Sequence, residues 1–168
     1  MRRATSIDYR RAVLADSLAI AEVHWRAHRE TYAPLIGPTN YKPAALEARL
    51  AQWTEALAGA GIAYVATDAG RAVGFTHATG DRITTLYILG AYHRRGIGRA
   101  LLSRLCAGLA GRGVAKANFA VPARNAKAMA FYRAQGARPL GSVMVEEFGI
   151  RYEDRMFEIE TLPGRGLP

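Results

Sequence analysis

The sequence predicts one mixed α/β domain, and three observations carry that prediction. Four segments repeat apolar residues at spacings of three and four, as helices do, and seven short segments read as strands. Three of the strands lie close together, joined by the tight turns DAG and TGD. No repeat, low-complexity stretch or linker interrupts the 168 residues, a length that suits a single core of ordinary size. The expected domain therefore spans 1–168.

The elements follow in order. Residues 7–13, IDYRRAV, read as the first strand. Asp16 suits the N-cap of a helix in which Leu18, Ala21, Val23 and Trp25 mix core and exposed positions. Helical patterning weakens in TYAPLIGPTNYKP, whose three prolines and one glycine mark a loop. A second helix is expected from about Pro43, with proline in its first turn. Leu46, Leu50, Trp53 and Leu57 give it an apolar face, and Gly59 and Gly61 end it. Strands 62–67, 71–79 and 83–89 then form an antiparallel meander. A helix over about 96–110 carries Leu101, Leu102, Leu105 and Leu109, and a strand covers 114–121. A helix over 125–135 is closed by Gly136, and strands at about 139–146 and 151–160 finish the chain.

Composition narrows the partners without choosing one. No segment is long and apolar enough to cross a membrane, and the basic N-terminus MRRATSIDYRRAV lacks the apolar stretch of a signal peptide. A single cysteine, Cys106, excludes an internal disulfide and agrees with a reducing cytoplasm. Within RALLSRLCAGLA it reads as a small buried thiol. The formal charge of +9 permits either nucleic acid or a small polyanionic ligand held at one site. Nearly all of that charge is arginine, which suits phosphate. No interleaving of basic and aromatic residues points to nucleic acid.

The stretch YHRRGIGRALL, residues 92–102, places glycines and cations where a helix begins. A dinucleotide-binding fingerprint needs a third glycine where Leu101 stands, and a P-loop needs Gly-Lys-Ser/Thr. A third device remains, in which the amides of the turn and of the helix's first residues cradle an anion. Arg94, Arg95 and Arg99 could add charge-assisted bonds. Taken alone, the stretch reads first as a glycine turn with solvated arginines.

The wider pattern resembles the GNAT family of N-acetyltransferases. Their strand, then Arg/Gln-x-x-Gly-x-Gly/Ala, then helix, is matched by LYILGAYHRRGIGRALL, residues 86–102. Their Asn-x-x-Ala-x-x-Phe-Tyr-x-x-x-Gly is matched by NAKAMAFYRAQG, with Asn125, Ala128, Phe131, Tyr132 and Gly136 in register. His93 departs from the usual Gln or Arg. The resemblance implies a single GNAT-like α/β domain. Its mixed, mostly antiparallel sheet of about seven strands has a splayed parallel pair at the centre, 83–89 and 114–121, flanked by about four helices.

It also implies acetyl-CoA as cosubstrate, no metal, and a primary amine of a small molecule or peptide as acceptor. The pyrophosphate would sit on the amides of Arg94, Arg95, Gly96, Ile97, Gly98, Arg99 and Ala100, with Arg124 or Lys127 near the 3′-phosphate. Unpaired strand groups around Leu86, Tyr87 and Ile88 would face the pantetheine arm and the thioester, and Asn125 would bond that arm. Tyr132 would be the general acid toward the leaving thiolate. The general base stays open between Glu30, His77 and water, because Thr84, Thr85 and Ala120 leave both splayed strands without a carboxylate.

Glu30 and Tyr32 are expected at the acceptor site, and Trp53 in the core. His24 and His28, four apart on one helix, read as a surface pair. Glu146, Glu147, Glu153 and Asp154 form an acidic cluster that could meet a cationic acceptor, although such a cluster is more often a solvated strand edge. Nucleic acid and membrane are not expected partners, and family members often dimerise through terminal strands. A non-catalytic acyl-CoA-binding module and a basic nucleic-acid-binding domain are the alternatives.

Overall fold

The meander expected in the middle of the chain becomes the spine of a seven-stranded sheet in the computed structural model, which describes residues 6–147 and 149–162. Residues 1–5, 148 and 163–168 of the expected domain lie outside the described ones. The strands are β1 (Ile7–Arg11), β2 (Ile62–Asp68), β3 (Arg71–Thr79), β4 (Arg82–Ile88), β5 (Lys116–Pro122), β6 (Arg138–Glu147) and β7 (Ile150–Glu160). The helices are α1 (Ser17–Ile36), α2 (Leu46–Ala58), α3 (Ile97–Ala110) and α4 (Ala126–Ala134). The sheet order is β1-β2-β3-β4-β5-β7-β6, so β4 lies at its centre.

Every neighbouring pair is antiparallel except β4 and β5. Those two run parallel, and their register holds one pair, Arg82 with Asn118. The Asn118 amide donates to the Asp81 carbonyl at 2.9 Å. Beyond that point the strands part. The crossover between them is α3, as a parallel connection requires.

Each face of the sheet has its own core. On one, Leu102, Leu105 and Leu109 of α3 pack with Phe119 and Phe157, and Phe131 and Tyr132 of α4 lean on the same cluster. On the other, Ile20, Ala21 and Val23 of α1 meet Trp53 of α2 and Phe75 of β3. Trp53 is 1% exposed and belongs to the core, as expected.

Two expectations change. The TYAPLI segment is helix, not loop, because α1 continues through Pro34 to Ile36. Proline at 34 removes one helical donor. Burial of Ile36 and the stacking of Tyr32 on His28 at 4.3 Å hold this last stretch in place. The helix stops at Gly37, whose φ of 87° turns the chain away. Helix α2 begins at Leu46 rather than near Pro43, since the preceding segment bends to bury Tyr41, whose hydroxyl meets His28 Nδ1 at 2.8 Å.

Candidate functional site

Glycine does two different jobs in the turn before α3. Gly96 is the N-cap and has φ 79°, and a Cβ there would meet nothing within 4 Å. Its absence of side chain serves the backbone conformation. Gly98 serves packing, because a Cβ would lie 3.3 Å from Ile88 Cδ1 and 3.3 Å from Phe131 Cζ. Arg94 also adopts a left-handed conformation, φ 63°.

No side chain caps α3, and the first internal bond runs from the Ala100 amide to the Gly96 carbonyl at 3.0 Å. The Ala100 amide is thus committed to the helix, and Ile97, Gly98 and Arg99 supply the first three amides, which a helix cannot satisfy from within. Arg94, Arg95 and Arg99 are exposed around them. Arg95 lies over the Tyr92 ring at 4.8 Å, and the Tyr92 hydroxyl donates to Asp68 at 2.8 Å. His93 is engaged as well, with Nε2 2.8 Å from the Ile88 carbonyl oxygen.

The parted strands leave a polar edge. The Leu89 amide donates to Val73 at 2.9 Å and the Thr85 carbonyl accepts from Thr76 Oγ1 at 2.9 Å, both toward β3. Alternation then turns the backbone groups of Leu86 and Ile88 to the open side and those of Tyr87 toward β3. Tyr87 contributes its side chain instead.

Helix α4 borders the same opening. Asn125 is its N-cap, with Oδ1 accepting the Ala128 amide at 3.1 Å. Tyr132 packs on Phe119 with ring centroids 4.3 Å apart. Its hydroxyl has no hydrogen bond among the described residues. Burial first, and then the Tyr32 phenol, push the ionisation of Tyr132 far above that of an ordinary tyrosine.

Across the sheet, α1 and β4 build an aromatic wall. His24, His28 and Tyr32 recur every four residues on α1 and face Tyr87: His24 stacks on Tyr87 at 4.9 Å, and Tyr32 and Tyr87 share a hydroxyl hydrogen bond. His24 and His28 are therefore not a surface pair. They are 3% and 5% exposed, because the helix face they occupy is the one covered by the sheet and α2. Trp53 Nε1 donates to His24 Nδ1 at 2.9 Å. Burial, followed by the charge of Arg49, lowers His24 to about 3 and His28 to about 4. Burial, then Glu147, pushes Tyr32 up to about 12.

Both side chains named as bases are occupied differently. The Glu30 carboxylate accepts the Gly90 amide at 2.7 Å and so ties α1 to the start of the turn. His77 lies between Trp53 and Gly61, with Nδ1 2.7 Å from Thr84 Oγ1. Its unpartnered Nε2 lies at a hollow of about 390 Å³ formed by the C-terminal end of α2 and residues 59–61.

The acidic edge divides. Glu146 and Glu147 are exposed and Glu153 pairs with Arg155 at 3.5 Å, but Asp154 is half-buried, with Oδ1 sealed from solvent. The sequence signal for this was present in β7: Asp154 lies three residues from the buried Phe157 and so belongs to the opposite face. Among the described residues no group of three His, Cys, Asp or Glu is placed to hold a metal ion. No helix there is long and apolar enough to cross a membrane.

Known proteins share this fold. A Salmonella typhimurium structure, yncA with its cofactor acetyl-CoA, superposes with a TM-score of 0.75 at 18% identity, covering 98% of this chain and 99% of that one. Ribosomal-protein-alanine N-acetyltransferase from Brucella melitensis gives 0.74 at 22% identity, covering 91% and 99%. The PaiA N-acetyltransferase of Thermoplasma acidophilum, solved with coenzyme A, gives 0.70 at 17% identity, covering 92% and 99%. At these identities the likeness is one of fold. No curated protein matches the sequence. The profile of the acetyltransferase (GNAT) family matches residues 18–137, from α1 to the end of α4, and on that match the chain belongs to the GNAT acetyltransferase family.

Proposed function

We propose that the protein transfers the acetyl group of acetyl-CoA directly to a primary amine of a small molecule or peptide. One observation carries this reading: the open backbone edge of β4 runs straight into an exposed, amide-rich and arginine-rich helix start. An anion with an extended polar arm fits that continuity. The turn suits the group, since Gly96 leaves open space where a side chain would stand and no side chain caps α3.

The amides of Ile97, Gly98 and Arg99 would hold the pyrophosphate, joined by those of Arg94, Arg95 and Gly96, with the arginine side chains adding charge. The Leu86 backbone and the Ile88 amide would bond the pantetheine arm, the Ile88 carbonyl being taken by His93, and one of those amides would donate to the thioester oxygen as charge develops there. Asn125 has its side-chain NH₂ left for the arm after capping α4. When bound, acetyl-CoA supplies an acyl carbon activated by its thioester. Tyr132, kept protonated by burial, would give its proton to the departing sulfur. Tyr32 would line the acceptor pocket with Tyr87. Glu30 would act on the acceptor only indirectly, through the turn that it clamps.

Calorimetry with acetyl-CoA, using CoA, NADH and a short DNA duplex as comparisons, tests the proposal. Micromolar binding of acetyl-CoA and CoA is expected, weakened at least tenfold by Arg94→Glu with Arg95→Glu. Thiol release with an amine panel should follow. Binding without turnover would favour an acyl-CoA-binding module, and binding of DNA alone would overturn the proposal.

A further inference from the structure

Both splayed strands lack a carboxylate, yet one lies next door. Asp154 sits on β7 opposite Pro122, the last residue of β5, and opposite Val143 of β6. Phe157 faces the α3 and α4 core, so Asp154 projects to the other face, where Tyr32 and Tyr87 lie. Its Oδ1 is buried and has no hydrogen-bond partner among the described residues. Thr85 of β4, on the same face as Tyr87, likewise holds a buried hydroxyl without a partner.

A buried carboxylate oxygen left unbonded loses its hydration without replacement, and native structures hold few such groups. The groups around it do not relieve the cost. Tyr152, two residues away on β7, gives its hydroxyl proton to Glu147 at 2.5 Å. Tyr32 from α1 is bonded to Tyr87. Glu147 from β6 is a second anion, and Arg82 at the start of β4 acts on Asp154 through its charge without an ion pair. What the site lacks is a donor carrying positive charge.

We infer that Asp154 receives the acceptor's ammonium group and takes its proton, serving as the general base that the splayed strands do not supply. The inference rests on the acetyl-transfer reading above. One proton passes from nitrogen to the Asp154 carboxylate and then to solvent. The freed lone pair forms the C–N bond as the C–S bond breaks, the electron pair leaving on sulfur, which takes the Tyr132 proton. The second nitrogen proton restores Tyr132, so one proton is released for each amide made.

Burial, and then the charge of Glu147, hold Asp154 above the ordinary carboxylate range, with Arg82 opposing in part. The shift narrows the gap to an alkylammonium, near 10.4, and improves proton transfer. It also raises the pH below which the base is lost.

The test compares the wild type with Asp154→Asn, using acetyl-CoA and three amines, butylamine, tyramine and alaninamide, at millimolar concentration. Acetyl-CoA affinity should stay within twofold, while kcat/KM at neutral pH falls about 10²- to 10⁴-fold. The wild type should show an acid limb set by a carboxylate. The variant should instead rise with the free-amine fraction, about tenfold per pH unit, and approach the wild type at high pH.

A variant within threefold of wild type, or depressed equally at every pH, would overturn the inference. Failure of the wild type to bind acetyl-CoA or to acetylate any amine would instead sink the acetyl-transfer reading. Where the wild type does turn over, the carboxyl carbon of Asp154, followed by NMR against pH, should titrate above the ordinary carboxylate range, and titration within that range would overturn the inference.

Discussion

The turn before α3 and the wall made by α1, β4 and β7 adjoin the same opening but are built from different material. The turn offers backbone amides and exposed arginines, and its shape depends on two glycines and one left-handed arginine. The wall offers side chains, and burial displaces the ionisation of His24, His28, Tyr32, Tyr87 and Asp154. The contrast follows from what each would hold. A pyrophosphate can be bound by amides that any residue supplies, so a short local pattern suffices. An amine must be placed and deprotonated, which takes groups brought together from distant strands.

Acid should expose the contrast most strongly. The two histidines are neutral in the fold, at about 3 and about 4, whereas the unfolded chain takes up protons below about 6.5. Their folded values are depressed, so their contribution is fully present above that range and is lost as pH falls toward 4. Each costs up to about 1.4 kcal/mol per pH unit. The two histidines should therefore take roughly 4–5 kcal/mol from the unfolding free energy between pH 6.5 and pH 4.5, read by urea unfolding. His28→Gln should flatten that slope by about half. A flat profile would mean that the wall is not buried as described, and the comparison would collapse.

Gly96→Val sharpens the other side. The new side chain meets open space, so the cost is conformational, about 1–3 kcal/mol for a β-branched residue held at φ 79°. To escape it, the turn must rotate its amides. Acetyl-CoA binding should weaken at least tenfold in calorimetry, while the acid profile of the wall stays unchanged. Wild-type affinity in this variant would show that the anion does not sit on the turn.

Local signals were legible in the sequence and assembled ones were not. The two motifs, the meander and the order of elements can be read because each depends on neighbours in the chain. Helix α1 outran its expected end because tertiary contacts of Tyr32 and Ile36 override Pro34. His24 and His28 read as a surface pair because helical spacing shows that two residues share a face but not which face is covered. Glu30 carries no mark of its bond to Gly90, sixty residues away. Asp154 was hidden among three acidic neighbours, and its parity with Phe157 separated it from Glu153 alone.

Cys106 should give the smallest effect, and its smallness is informative. The thiol lies in α3, 7% exposed, within the core that supports the turn, and burial pushes it up to about 11. At neutral pH such a thiol holds almost no thiolate, the form needed for nucleophilic attack. Cys106→Ala removes one sulfur from a packed site, which should cost about 1 kcal/mol of stability. Acetyl-CoA affinity and turnover should remain within about twofold, because the helix start at Ile97 is more than two turns away along α3 and its amides are untouched. A large loss of stability with activity retained in the folded fraction would mean only that the core is less tolerant than its packing suggests. Loss of turnover with acetyl-CoA binding intact would be different in kind. It would place an acyl-enzyme step on α3, remove the need for a direct attack from the wall, and leave Asp154 without the role inferred for it.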